Sequence, residues 1–166
     1  MQTIKDLLIE EMRDTYSSET QILEGLAAMA EAATSPNLKQ AFQTHRQETQ
    51  NQVERLKQAF EHLGADPEGN TCEATQGLIA EAEEVMDEGL PGELLDVALV
   101  MAAQKVEHYE IASYGSLKTI AQDCGESAVA ALLGQTLEEE KATDEKLTRL
   151  AETEINKTAI AASPSA

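Results

Sequence analysis

Four stretches of this chain set their inward residues at alternating steps of three and four, and that period dictates rods rather than sheets. The first, roughly 3–33, reads Leu8, Met12, Thr15, Glu19, Ile22, Leu26, Met29. The second, 36–63, presents Leu38, Phe42, His45, Thr49, Val53, Leu56, Phe60 and Leu63, with Glu48 and Gln52 beside them. The third, 92–122, runs Val97, Val100, Gln104, Glu107, Ile111, Tyr114, Lys118, Ala121. The fourth, 126–153, runs Leu133, Leu137, Glu140, Asp144, Leu147, Ala151. A sandwich or barrel would use more aromatic residues than the 3% found here.

Local chemistry places the breaks. Thr34-Ser35-Pro36 supplies an N-cap and a proline for a first helical turn, and Gly64 suits a helix C-cap. Cys124-Gly125 makes a tight turn between the third and fourth segments. Residues 64–91 form a long connection in which Thr71 can cap a short amphipathic helix carrying Leu78, Ile79, Ala82, Val85 and Met86. Short loops pair the first helix with the second and the third with the fourth. The fold expected is therefore all-α, a four-helix bundle with one long crossover holding a short fifth helix. A length of 166 residues suits one domain, taken as 1–155, with 156–166 expected to fray.

A formal net charge of −19 excludes the easy partners: it repels nucleic-acid phosphates and anionic membrane surfaces. The start, Met1 to Asp6, lacks a basic region followed by an apolar one. The longest apolar run, Val97 to Ala103, is too short to span a bilayer. A soluble cytoplasmic protein is expected. Cys72 and Cys124 sit in no CxxC or Cys/His spacing and imply neither a disulfide framework nor zinc.

Each seam carries an acid near its middle: Glu19, Glu48, Glu107 and Glu140, with Asp144 one turn beyond. A buried unpaired carboxylate costs several kcal/mol, so ordinary bundle seams avoid one. Glu19 and Glu48 both fall ~20–24 Å from the first hairpin turn, and Glu107 and Glu140 ~22–26 Å from the second, at ~1.5 Å per residue. If the hairpins pack side by side, these acids converge halfway up the core. The nearest basic residues, Arg46, Lys105 and Lys141, step off the seams. Bound cations would relieve the repulsion, and hard oxygen ligands suit Fe, Mn or Mg. A wet polar gap or partly protonated acids would relieve it too. His45 is open as a ligand or as a partner to a ligating carboxylate. His108 points about 100° away from Glu107, toward a surface. Glu138 and Glu139 leave the seam and are expected in solvent.

The chain resembles the YciF/YciE family of stress-associated proteins within the ferritin-like superfamily. The resemblance rests on Asp14-Thr-Tyr16-Ser-Ser-Glu19, His45-Arg-Gln-Glu48-Thr49, Gln104-Lys-Val-Glu107-His108-Tyr109-Glu110-Ile-Ala-Ser-Tyr114 and Leu137-Glu-Glu-Glu140-Lys-Ala-Thr-Asp144. The third of these is also similar to a rubrerythrin helix, which implies a ligand role for Glu107 and, one turn on, a carboxylate role for Glu110. The usual di-metal bundle takes Glu-x-x-His from two helices. Here Asn51 and Thr143 stand where those histidines would, and His45 and Asp144 are the nearest substitutes. The resemblance implies a ferritin-like fold, two metal ions (iron favoured, manganese possible), a small oxidant or the metal itself as partner, a homodimer and a link to stress. The ligand set expected is Glu19, His45, Glu48, Glu107, Glu110, Glu140 and Asp144. The competing expectation is a structural or interaction bundle with a vestigial acidic centre.

Overall fold

The computed structural model describes residues 1–163. Its elements are α1 (Ile4–Ala32), α2 (Pro36–Leu63), α3 (Glu73–Asp87), α4 (Gly92–Asp123) and α5 (Ser127–Leu150). A π-helical turn (Ala151–Ile155) then leads into α6 (Asn156–Ala162). The expected bundle is present: α1 packs on α2 and α4 on α5, while α3 lies against α1 and α4 in the crossover. No helix among the described residues is long and apolar enough to cross a membrane.

The helix ends follow from their capping residues. Thr3 and Asp6 close a capping box at the start of α1. Ser35 accepts the backbone N–H of Leu38 and Pro36 opens α2. Gly64 ends α2 in the left-handed conformation, φ 63°, which glycine adopts without a Cβ penalty. Thr71 does not cap α3, however. Cys72 holds the N-cap position, with no side-chain cap bond.

Two departures concern the chain's far end. The segment expected to fray, 156–166, is helical to Ala162, with Ile155 just before it and Ala159 within it buried. Glu154 also accepts hydrogen bonds from Ser35 Oγ at 2.8 Å and Asn37 Nδ2 at 2.7 Å, which ties the π turn to the start of α2. Residues 164–166 of the expected tail lie outside the described residues.

The core is in two parts. One gathers Leu26, Met29, Leu38, Phe42, Leu99 and Leu147 around the loop between α1 and α2. The other gathers Leu8, Met12, Leu56, Phe60, Leu117 and Leu133 around the turn between α4 and α5. Between them, at mid-height, lies a layer of buried polar side chains.

Candidate metal centre

Each of the four long helices sends polar residues into that layer. α1 contributes Glu19, α2 contributes His45, Thr49 and Gln52, α4 contributes Glu107 and Glu110, and α5 contributes Glu140 and Thr143. The carboxylates are sealed: Glu19 and Glu140 are 0% exposed, Glu107 and Glu110 1%. His45, Glu107, Glu110 and Glu140 each offer one ligand atom, and those atoms all lie within 4.8 Å of one another. Glu19 lies beside this group rather than within it, near enough for its charge to act on Glu110 and Glu140, and the Tyr114 hydroxyl donates to its Oε1. The matched heights expected for Glu19, Glu107 and Glu140 are what bring them to one level.

The polar groups of this layer are under-satisfied. Among the described residues, eight buried side-chain nitrogens and oxygens have no hydrogen-bond partner, and all eight belong here. They are Glu19 Oε2, His45 Nε2, Gln52 Oε1, Glu107 Oε2, and both oxygens of Glu110 and Glu140. His45 Nε2 lies 3.1 Å from Glu107 Oε1, but off the axis of a hydrogen bond, and 3.7 Å from Glu140 Oε2. Natural proteins satisfy the large majority of such groups, so eight in one layer call for an occupant.

The layer is also strongly perturbed. Burial pushes the Glu19 carboxyl up to about 7, even though the Tyr114 hydrogen bond works the other way. Burial lifts Glu110 well above the carboxylate range, and the Glu19, Glu140 and Glu107 charges lift it further. Glu140 rises for the same first reason, against His45 and with Glu107 and Glu19. For His45, burial is the largest influence and disfavours charge, but the Glu107, Glu48 and Glu140 carboxylates outweigh it and raise its pKa well above the usual value. The layer thus competes for protons in the way a cation site does when no cation neutralises it.

The cations nearest in sequence are spent elsewhere. Lys105 pairs with Glu81 at 2.6 Å, Lys141 with Glu138 at 2.9 Å, and Arg46 donates to the Leu23 carbonyl at 3.0 Å. Arg55 clamps Glu139 with two bonds of 2.8 Å, so Glu139 is held by a guanidinium rather than left to solvent as expected.

Three of the expected ligands, Glu19, Glu48 and Asp144, are not among the residues whose donor atoms converge. The Glu48 side chain is 43% exposed, its Oε2 3.6 Å from His45 Nδ1. It stands roughly 60° around α2 from His45, and His45 takes the inward position. Asp144 is partly buried and accepts from Gln104 Nε2 at 3.2 Å, with His108 Nε2 at 3.4 Å. Thr143, which the sequence marks only as standing in place of a motif histidine, has its hydroxyl 3.4 Å from His45 Nδ1.

The donors fit hard or borderline divalent cations: oxygen-rich, with one imidazole. Fully ionised, Glu19, Glu107, Glu110 and Glu140 would carry −4, which two divalent ions would balance. The observation behind this fit is the set of unpartnered oxygens.

The family described as "Domain of unknown function (DUF892)" matches residues 3–160. Protein YciF of Escherichia coli K12 is 49% identical over 160 residues, 96% of this chain and 96% of its own. The crystal structure of the E. coli stress protein YciF superposes with a TM-score of 0.91, covering 95% of this chain and 99% of that one. YcfI from Rhodopseudomonas palustris, described as a proposed structural protein, is 45% identical with a TM-score of 0.87, covering 89% of this chain and 94% of that one. A protein of Xanthomonas campestris at 24% identity, with a TM-score of 0.75 and coverage of 95% and 97%, shares the fold.

Proposed function

Because this chain belongs to the DUF892 family, with YciF among its relatives, we propose that it is a metal-binding protein of the stress-associated, ferritin-like kind. Its mid-bundle layer would hold a pair of ions, iron favoured and manganese the alternative. The observation that carries this reading is Glu110, whose two oxygens are both buried and both without a partner. Glu19, His45, Glu107, Glu110 and Glu140 would be the ligands. When bound, such ions supply Lewis acidity and, for iron, one-electron redox chemistry toward peroxide or dioxygen.

The residues themselves do three things. Tyr114 holds one oxygen of Glu19 and leaves the other free, which sets the orientation of that carboxylate. His45 turns Nε2 inward and keeps Nδ1 against Thr143 and Glu48, so its proton can leave by the outer nitrogen. The apolar clusters above and below exclude water and strengthen every charge interaction between them.

Protein purified without chelator should hold close to two iron or manganese ions per chain by elemental analysis. Adding either ion to stripped protein should raise its melting temperature. Well under one ion per chain, with melting unmoved by added metal, would overturn the proposal.

One observation favours a second reading, a structural bundle. The raised pKa values of Glu19, Glu110 and Glu140 mean that protons alone can quiet the layer. The double substitution Glu19→Gln with Glu107→Gln separates the two. In a structural bundle it raises melting whether or not metal is added. In a metal centre it lowers ion content and removes the stabilisation that metal confers.

A further inference from the structure

A sealed centre needs a way in. We infer that cations reach the layer between α2 and α5, past His45, and that Glu48 hands them inward without remaining a ligand. This rests on the reading of the layer as a metal centre.

A narrow cleft, with room for about one water molecule, runs there from the surface to the buried Glu107. Its walls include Phe42, His45, Glu48, Glu107, Thr143 and Lys146. Four larger clefts elsewhere on the molecule are lined by none of the clustered residues. The polar atoms along the narrow one form a sequence of steps. Glu48, 43% exposed on its side chain, is the outermost carboxylate. Its Oε2 lies 3.6 Å from His45 Nδ1, and the same nitrogen lies 3.4 Å from Thr143 Oγ1. The other ring nitrogen, Nε2, faces Glu107 at 3.1 Å and Glu140 at 3.7 Å. One imidazole thus stands between a solvent-facing carboxylate and two buried ones.

Two charges set the traffic at the mouth. Glu48 attracts a cation, and exchanging its water for a carboxylate oxygen at the threshold lowers the desolvation barrier to the interior. Lys146, lining the same opening, repels it and acts as a brake. The structure separates this position from the ligand group proper, since Glu48 is not among the residues whose donor atoms converge.

The test uses Mn(II) alone with the full chain, stripped of metal beforehand. Uptake is followed by loss of the free ion's six-line paramagnetic resonance signal, and release is driven by excess chelator. Glu48→Gln should slow both uptake and release by about tenfold while the number of ions held at equilibrium stays that of the unaltered protein. Lys146→Gln should speed uptake about threefold. Glu145→Gln, an equal change of charge on the exposed side of α5, should alter neither. Unchanged rates in both the Glu48 and Lys146 variants overturn the route. A fall in ions bound by Glu48→Gln overturns it as well, making Glu48 a resident ligand. If the unaltered protein takes up neither Mn(II) nor, in a parallel anaerobic titration, Fe(II), the metal centre itself is refuted and the route with it.

Discussion

Of the three carboxylates that helix α4 buries, Asp96 and Glu110 stand about four turns apart, and the fold treats these two in opposite ways. Asp96 accepts three bonds: from Thr34 N at 2.7 Å, Thr34 Oγ1 at 2.6 Å and Ser35 N at 2.8 Å. Glu110 accepts none. Asp96 is an anchor, pinning the loop between α1 and α2 to α4 with donors the chain itself supplies. This bundle can therefore satisfy a buried carboxylate when the role is structural. Glu110 and Glu140 have both oxygens without a hydrogen-bond partner, and Glu19 and Glu107 one each, which is the arrangement expected of groups waiting for something from outside the chain.

That contrast can be broken by experiment. The largest effect is expected at the anchor. Asp96→Ala leaves the Thr34 and Ser35 amides without their acceptor and should lower stability by about 3–5 kcal/mol, equally with and without added metal, in denaturant unfolding. If the loss shrinks when metal is present, the two carboxylates are not independent.

The next effect concerns pH. The folded-state pKa of Glu19, about 7, lies above its unfolded value of 4.5, so its penalty is fully present above pH 7 and is relieved as pH falls from 7 toward 4.5. The His45 pKa is raised, so His45 adds stability below its unfolded value and loses it as pH rises through the folded one. Both act in the same direction. Metal-free protein should gain up to about 3 kcal/mol between pH 8 and pH 5. Metal-loaded protein should show the reverse, because protons displace the ions. Melting curves across pH with and without metal read both slopes, and parallel slopes would erase the distinction between layer and anchor.

The smallest effect sharpens the picture at Glu110 itself. Glu110→Gln removes one of the clustered charges and should raise metal-free stability by about 1–2 kcal/mol while weakening metal retention. The opposite substitution effects at Asp96 and Glu110, on one helix, would be the clearest statement of their different roles.

Much of this architecture was legible in the residues. Ser35-Pro36 and Gly64 bound α2 where cap chemistry says they should, and Glu107 and Glu140 meet, with Glu19 close by, because helical rise carries them to one height. Glu110 was legible mainly through family resemblance. The choice between His45 and Glu48 was not, since both lie near the inward face of α2 and only the position of α5 decides which is covered. Asp96 escaped notice because its partners are backbone amides some sixty residues away in sequence, bonds of 2.7 and 2.8 Å that no periodicity records. The helical tail escaped for a similar reason. Its short run of small residues is held by burial of Ile155 and Ala159 and by Glu154 reaching α2, and its own propensity is a weak guide to that.

The amino-acid order by itself determined the rods, their ends and the height of the acids along each, because helix period, capping and rise are local properties of the chain. Only the packing of the four rods decided which acids are dry, which are paired and which side of His45 faces inward, because desolvation and hydrogen bonding depend on neighbours that the chain brings together from far apart.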